Sequence, residues 1–416
     1  MQSKKTILML PSWYPTKDNP YQGSFFREQA ITLQEKYNFI VLRITEKKEL
    51  LIKYYIFKIF GLTKPKINYI QNDNGIQEYS LIIKIPKFIF WEDFKFKIES
   101  RAGRIRPGVG SLNLPYIQKC RASSIKILNK KNLLPKFDCV YSLTSQDMAI
   151  LGKTFSNVFK VPHVTAEHAP FPWPGYTLKN DTVAAIESAD AFLAISTDKV
   201  RQVMLQNIKI NPCFVWNLCD ETKFTINKTK NKIKTFLIVA ANSIYKNYPL
   251  FIKVMTELKK IAEKDFKVIV AGYNANKQCV QNVKELEKMI YESSFYKNTE
   301  LIESIPRDEM PLLFNRCDAF VMTSIQEGLP VSAIEASMSG LPVFSTRCGG
   351  VEDYIDDSMG KIVSITDYKG LAQACNDFLN EVTTYDSNHI REKAISIFGR
   401  KAFIKNMSEA FDFVMK

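Results

Sequence analysis

Residues 327–340 read EGLPVSAIEASMSG. Immediately upstream, AFVMTS (319–324) is an apolar run of strand length, and SIQEGLP (324–330) turns the chain at its carboxyl end. Gly328 permits unusual backbone angles and close approach, and Pro330 suits a first helical position. VSAIEASMS then runs as a helix to Gly340, a common residue just past a helix end. Val331, Ile334 and Met338 recur at i, i+3 and i+7, which predicts the buried stripe. Glu335 lies beside that stripe between Ala333 and Ala336, so its carboxylate needs a partner. Strand, glycine turn and helix together make the repeating step of an α/β sheet.

The two acids suggest what such a step would hold. Unsatisfied N–H groups at the helix start form an anion site. Were the whole segment helical, Glu327 and Glu335 would stand roughly 12 Å apart, too far for one proton-transfer dyad. They suit two hydroxyl-bearing ends of one elongated ligand with anionic groups between, because carboxylates only accept hydrogen bonds. A nucleotide-sugar has this layout. The competing reading is a helix-start glutamate favoured by the macrodipole, with the second acid there by chance.

Outward from that segment, short apolar strands alternate with amphipathic helices. Strands are expected at 6–10, 39–44, 138–143, 163–168, 191–196 and 213–216. A lysine-rich, glycine-free stretch, NKTKNKIK (227–234), separates these from a second series at 235–241, 267–272, 301–305, 319–324 and 342–346. Helices are expected at 23–37, 248–264 and 282–293, besides the segment quoted. This order predicts an α/β chain of two doubly wound, Rossmann-like domains facing each other across a cleft. At 416 residues the chain is too long for one ordinary core. The expected boundaries are a first domain at 1–225, a second at 226–398, and a terminal segment at 399–416.

Composition narrows the function classes. The chain is 46% hydrophobic and 12% aromatic, which is globular. Eight scattered cysteines without a CxxC pair, and only His163, His168 and His389 to join them, predict no metal site and reduced thiols in the cytoplasm. The apolar run after Lys4 and Lys5 is too short for a signal segment, and no run is long enough to span a bilayer. There is no GxGxxG, no phosphate-loop motif and no Asp-x-Asp, so neither a dinucleotide fingerprint nor a metal-held phosphate is indicated. The net charge is +14. Residues 51–131 carry sixteen Lys and Arg against five Asp and Glu, interleaved with IKYYIFKIF, IIKIPKFIFW and FKFKI. That mixture fits the inner face of an anionic membrane, or equally a solvated basic face over core strands. No nucleic-acid motif accompanies it.

Further motifs carry a resemblance. E-x7-E after a strand, followed by LPVFSTRCGGVEDYI (341–355), is similar to retaining GT-B glycosyltransferases of family 4. PSWYPTKDNPYQGSFFREQA (11–30) resembles that family's N-terminal glycine loop, TAEH (165–168) its histidine motif, VWNLCDETKF (215–224) its interdomain linker, and Lys246-Asn247 its donor-phosphate lysine.

The resemblance covers nearly the whole chain and implies that 1–225 is the acceptor-side domain, that 226–398 binds the nucleotide-sugar, and that a helix at 399–416 packs back on the first domain. It also implies residue roles. Glu335 would bind the ribose hydroxyls and Glu327 the donor sugar. Gly328, Leu329 and Pro330 would shape the turn that faces the diphosphate. Lys246 would neutralise the leaving group, and His168 would approach the reacting sugar. Gly23 would let the first loop approach the donor or acceptor, while Trp13 and Tyr14 read either as core, the default for such an aromatic run, or as a stacking surface for an acceptor sugar. It further implies a UDP- or GDP-linked donor as co-substrate, no cofactor, no metal, and a glycan or lipid-linked acceptor in cell-surface polysaccharide synthesis. The family's usual arginine before the lysine is Ala241 here, with Arg347 as a substitute. His163 is expected to be structural, Asp220 to turn the linker, and Trp173 either to lie on a lid-like loop or simply to pack. Two other classes share this architecture: a sugar-nucleotide epimerase or hydrolase, which would turn over donor without acceptor, and a non-catalytic scaffold at a membrane surface.

Overall fold

The computed structural model describes residues 4–16, 23–60, 63–71, 75–87, 115–172, 178–226, 231–274 and 280–416. Trp173, Tyr21, Cys279, the first half of NKTKNKIK and the basic-apolar run at 88–114 lie outside these residues.

In chain order the strands are β1 (Thr6–Pro11), β2 (Asn38–Leu50), β3 (Lys66–Gln71), β4 (Gln77–Lys87), β5 (Cys139–Leu143), β6 (His163–Glu167), β7 (Ala191–Ala194), β8 (Pro212–Phe214), β9 (Lys234–Val239), β10 (Phe266–Ala271), β11 (Thr299–Ile302), β12 (Ala319–Met322), β13 (Val343–Thr346) and β14 (Gly360–Val363). The helices are α1 (Ser24–Leu33), α2 (Leu51–Ile59), α3 (Pro115–Lys130), α4 (Ser145–Phe159), α5 (Asn180–Glu187), α6 (Thr197–Met204), α7 (Tyr248–Ile261), α8 (Val280–Tyr291), α9 (Met310–Asn315), α10 (Val331–Met338), α11 (Tyr368–Leu379), α12 (Ser387–Phe398) and α13 (Arg400–Val414).

Two compact units result. One comprises Met1–Ile195, Lys199–Val215 and Ile404–Lys416; the other comprises Ser196–Asp198 and Trp216–Phe403. The first holds an eight-stranded sheet in the order β3-β4-β2-β1-β5-β6-β7-β8, parallel except where β3 runs against β4. The second holds a six-stranded, wholly parallel sheet in the order β11-β10-β9-β12-β13-β14. Taken by strand rank that order is 3-2-1-4-5-6, the Rossmann arrangement, with the reversal between β9 and β12.

Helices cover both faces of such a sheet, so its central strands are apolar throughout. β5 and β12 accordingly bury every residue. In the first unit Leu8, Leu10, Ile40, Leu42 and Val140 pack against Leu151 and Phe155 of α4. In the second, Phe236, Val268 and Val321 pack against Phe251 and Val254 of α7. The last residues of α13 complete the first unit: the Phe411 ring meets Tyr37 and Tyr141 edge-on, with centroids 5.4 and 5.5 Å away, and the Tyr37 hydroxyl donates to Asp412 at 2.8 Å.

The strands expected from the sequence are present within a few residues. β2 is the exception, running to Leu50 rather than ending at 44. β3, β4 and β14 were not anticipated. β4 extends β2's parallel pairing over eleven residues, and β3 folds back on it, so part of the basic stretch is sheet edge. QNDNG (71–75) between them is a hairpin signal that would have found this pair. Among the described residues no helix is long and apolar enough to cross a membrane.

Candidate active site

In the second unit the strand order decides which loops meet. The loops leaving β9 and β12 lie side by side because these strands are neighbours at the reversal. The β9 loop ends in a single 3-10 turn over Ile244–Lys246, and Asn247 then starts α7 with a left-handed backbone. Ile325 N–H donates to the Tyr245 carbonyl at 2.7 Å, and Thr323 Oγ1 donates to the Lys246 carbonyl at 3.2 Å. Stitched in this way, Lys246 Nζ donates to Glu327 Oε1 at 2.6 Å, and Ser324 Oγ donates to the same oxygen at 2.6 Å. Two residues that stand 81 positions apart thus form one charged pair.

The turn itself is packed from behind by the glycine pair after β13. Glu327 N–H donates to the Cys348 carbonyl at 2.7 Å. Gly350 has φ +70, and a Cβ there would stand 2.3 Å from the Gly328 carbonyl oxygen. Only glycine allows both that backbone and that approach. The Gly328 carbonyl also accepts from Ser196 Oγ at 2.8 Å, and Leu329 is buried.

Pro330 is not the first helical residue, as the sequence suggested. Its ψ of 108 makes it the cap, and α10 begins at Val331. Residues 327–330 are therefore turn, and the fully helical spacing of the two acids does not apply. α10 is also buried around most of its girth, Ala333 to Met338, while Val331 is only half-buried. The expected one-sided stripe fails because the helix is covered by α12 as well as by its own sheet. Gly340 does follow its end, with φ +71.

Glu335 is 1% exposed. The partner its burial demands is Arg307, whose guanidinium donates to Glu335 Oε1 and lies 5.5 Å from the Phe224 ring centroid. Arg307 follows β11 in IPRDEM and was missed, because nothing in that string marks it. Arg347 is exposed at the end of β13. Asp220 turns the linker, accepting from Thr222 N–H at 3.0 Å and from its hydroxyl at 2.7 Å.

The first unit builds a separate cluster at the carboxyl ends of its own strands. Ser12 Oγ, after β1, donates to Thr144 Oγ1, after β5, at 2.7 Å. Gly23 has φ +70, and a Cβ there would stand 2.5 Å from the Trp13 carbonyl oxygen, so its close approach is to this chain's own loop. Trp13 stacks on Phe26 at 6.4 Å, and Tyr14 is buried, its hydroxyl pushed up by burial and by Glu78. His168 is partly buried beside Phe26, ring centroids 5.0 Å apart. Burial, then Lys199, lowers it to about 3, so it is a neutral imidazole at ordinary pH.

The segment after His168 is clamped by buried polar side chains the sequence had not singled out. Glu167 accepts from Ala169 N–H at 2.8 Å and from Ser145 Oγ at 2.7 Å; burial raises its carboxyl. Lys199, fully buried, donates to the Ala169 carbonyl and to Gln202 Oε1, and that oxygen also accepts from Phe171 N–H. His163 lies deeper, at 2.8 Å from Ser142 Oγ.

Known proteins resemble this chain in part of its sequence and in its fold. Residues 220–396 match the family model described as glycosyl transferases group 1. An uncharacterised glycosyltransferase of Methanocaldococcus jannaschii is 21% identical over 309 residues, which cover 71% of this chain and 77% of that one. Among solved structures, sucrose-phosphate synthase of Thermosynechococcus elongatus is 13% identical with a TM-score of 0.69, covering 99% of each chain. The HepE protein of Anabaena, solved in complex with UDP, is 13% identical with a TM-score of 0.66, covering 98% of this chain and 100% of that one. A glycosyltransferase from Rickettsia africae is 16% identical with a TM-score of 0.67, covering 100% and 99%. The fold is GT-B, and the chain is a glycosyltransferase.

Proposed function

We propose that this enzyme moves a sugar, with retention of anomeric configuration and without a metal, from a UDP- or GDP-linked donor to a glycan or lipid-linked acceptor of the cell surface. The observation that carries the reading is the Lys246–Glu327 pair at the strand-order reversal of the second unit, directly before the α10 N-terminus. A bound donor would lay its diphosphate along the Gly328–Leu329–Pro330 turn. Lys246 would then exchange part of its contact with Glu327 for the leaving phosphate, and Glu327 would accept from the sugar hydroxyls. Glu335, oriented by Arg307, would accept from the ribose.

In the reaction the bond between the anomeric carbon and the phosphate oxygen breaks as the acceptor oxygen bonds the same face of that carbon. The acceptor's proton passes to the departing phosphate. Lys246 stabilises the charge that develops there. His168, a neutral imidazole, would hydrogen-bond a sugar hydroxyl.

The test is a thermal-shift and calorimetry panel of UDP-, GDP- and ADP-linked sugars. Wild type should respond to one donor, and Glu335→Ala should lose that response. Lys246→Ala should retain donor binding within about tenfold yet lower kcat by about 10²–10³. Silence across the panel, or an undiminished response in the Glu335 variant, defeats the assignment.

A further inference from the structure

Helix α2 carries its apolar stripe on the wrong side for a water-soluble surface. Ile52, Tyr55, Ile56 and Ile59 stand at i, i+3, i+4 and i+7, the spacing of one helix face. On a helix of a folded unit that face should meet the core. Here Tyr54 does so instead, buried with its hydroxyl 3.2 Å from Cys120 Sγ. The apolar face looks outward: Ile52 is 78% exposed, Ile56 47%, Ile59 81%, and Phe60 just beyond it 72%. Single exposed apolar side chains are ordinary, but a contiguous set on one helix marks a surface that meets something.

The charge around that face has one sign. Residues 46–66 contain two acids, Glu46 and Glu49. Each is already paired, Glu46 with Arg121 at 2.6 Å and Glu49 with Lys53 at 3.6 Å. Against them stand Lys47, Lys48, Lys53, Lys58, Lys64 and Lys66, all exposed. A nine-residue helix is far too short to cross a bilayer, which takes about 20 residues. An apolar face rimmed by lysines suits a helix lying in the headgroup layer instead, apolar side down and ammonium groups among anionic phosphates.

We propose that α2 and Phe60 form a docking face for an anionic lipid bilayer, with Ile52, Ile56, Ile59 and Phe60 entering the headgroup boundary. The face extends the lipid-linked acceptor reading above, although its binding to lipid does not depend on that reading. It lies beside β2 and β4, near the β3 edge, at the opposite end of the sheet order from β6 to β8.

The experiment is vesicle sedimentation of the full chain, comparing an equal mixture of phosphatidylglycerol and phosphatidylcholine with phosphatidylcholine alone. Wild type should partition at least about tenfold better onto the anionic vesicles, and added salt should weaken it. The triple variant Ile52→Glu, Ile56→Glu, Ile59→Glu should lose at least about tenfold while keeping its Tm, since Ile52 and Ile59 contact mainly solvent and Ile56 is about half exposed. Replacing Lys53, Lys58, Lys64 and Lys66 with Gln should erase the preference for anionic lipid. Equal sedimentation of wild type and triple variant overturns the proposal. So does a wild-type dimer that the triple variant converts to monomer while neither binds vesicles, which would give the face to a second copy. Wild-type vesicle binding with no response to any nucleotide-sugar supports the docking face while removing the donor assignment.

Discussion

His163 is buried and His168 partly so, and burial lowers each to about 3. Unfolded histidine titrates near 6.5. Between those values the unfolded chain binds more protons than the folded one, so stability falls as pH drops through that window and is flat above it. From pH 7 to pH 5 each histidine costs roughly 2 kcal/mol. Glu167, raised by its burial, acts in the opposite sense above the pH at which an unfolded carboxyl titrates. Urea unfolding at pH 7 and pH 5 should show the loss, and His163→Gln should halve it; an unchanged pH dependence would falsify this account. Single residues were legible where a strand end gave them context. Lys246, Glu327 and His168 each follow an apolar run that could be read directly. Arg307, Glu167 and Lys199 were not, because each acquires meaning only from a neighbour that the strand order supplies.

Elements were legible by their period and blurred at their edges. α10 was found because a glycine turn precedes it and Gly340 follows it, but its all-round burial was not, since α12 lies some fifty residues on. β3 and β4 were lost within a stretch read for its charge rather than its alternation. α4 shows how closely such elements can fit. It packs on β6 through Gly152, where a Cβ would stand 2.1 Å from His163 Nε2 and 2.7 Å from its Cδ2. Alanine is ordinarily the better helix former by about 1 kcal/mol. Here Gly152→Ala should instead destabilise the protein by about 1–3 kcal/mol, because the buried ring and its contact with Ser142 must shift. Urea denaturation of the variant decides the sign, and a stabilised Gly152→Ala would show that the ring has room to move.

At the scale of the molecule, the alternation of strands and helices sufficed to predict two doubly wound sheets, since that pattern admits few other arrangements. What alternation alone could not give was where α13 goes, because an amphipathic helix reads alike whichever surface it covers; placing it took the resemblance. It seals Tyr37 and Tyr141 with Phe411, a fully buried ring. Phe411→Ala should cost about 3–5 kcal/mol, read as a lower urea midpoint. The same helix means that the first unit is not a continuous stretch of chain. It leaves at Val215 and returns at Ile404. On the ribosome its sheet is therefore made early, but the patch around Tyr37 and Tyr141 stays uncovered while residues 216–403 are translated. At about 5–20 residues per second, that is a wait of roughly ten to forty seconds. Tyr37 and Tyr141 are open to misassembly throughout that interval, so the yield of this enzyme should respond to elongation speed and to chaperone supply as well as to its final stability.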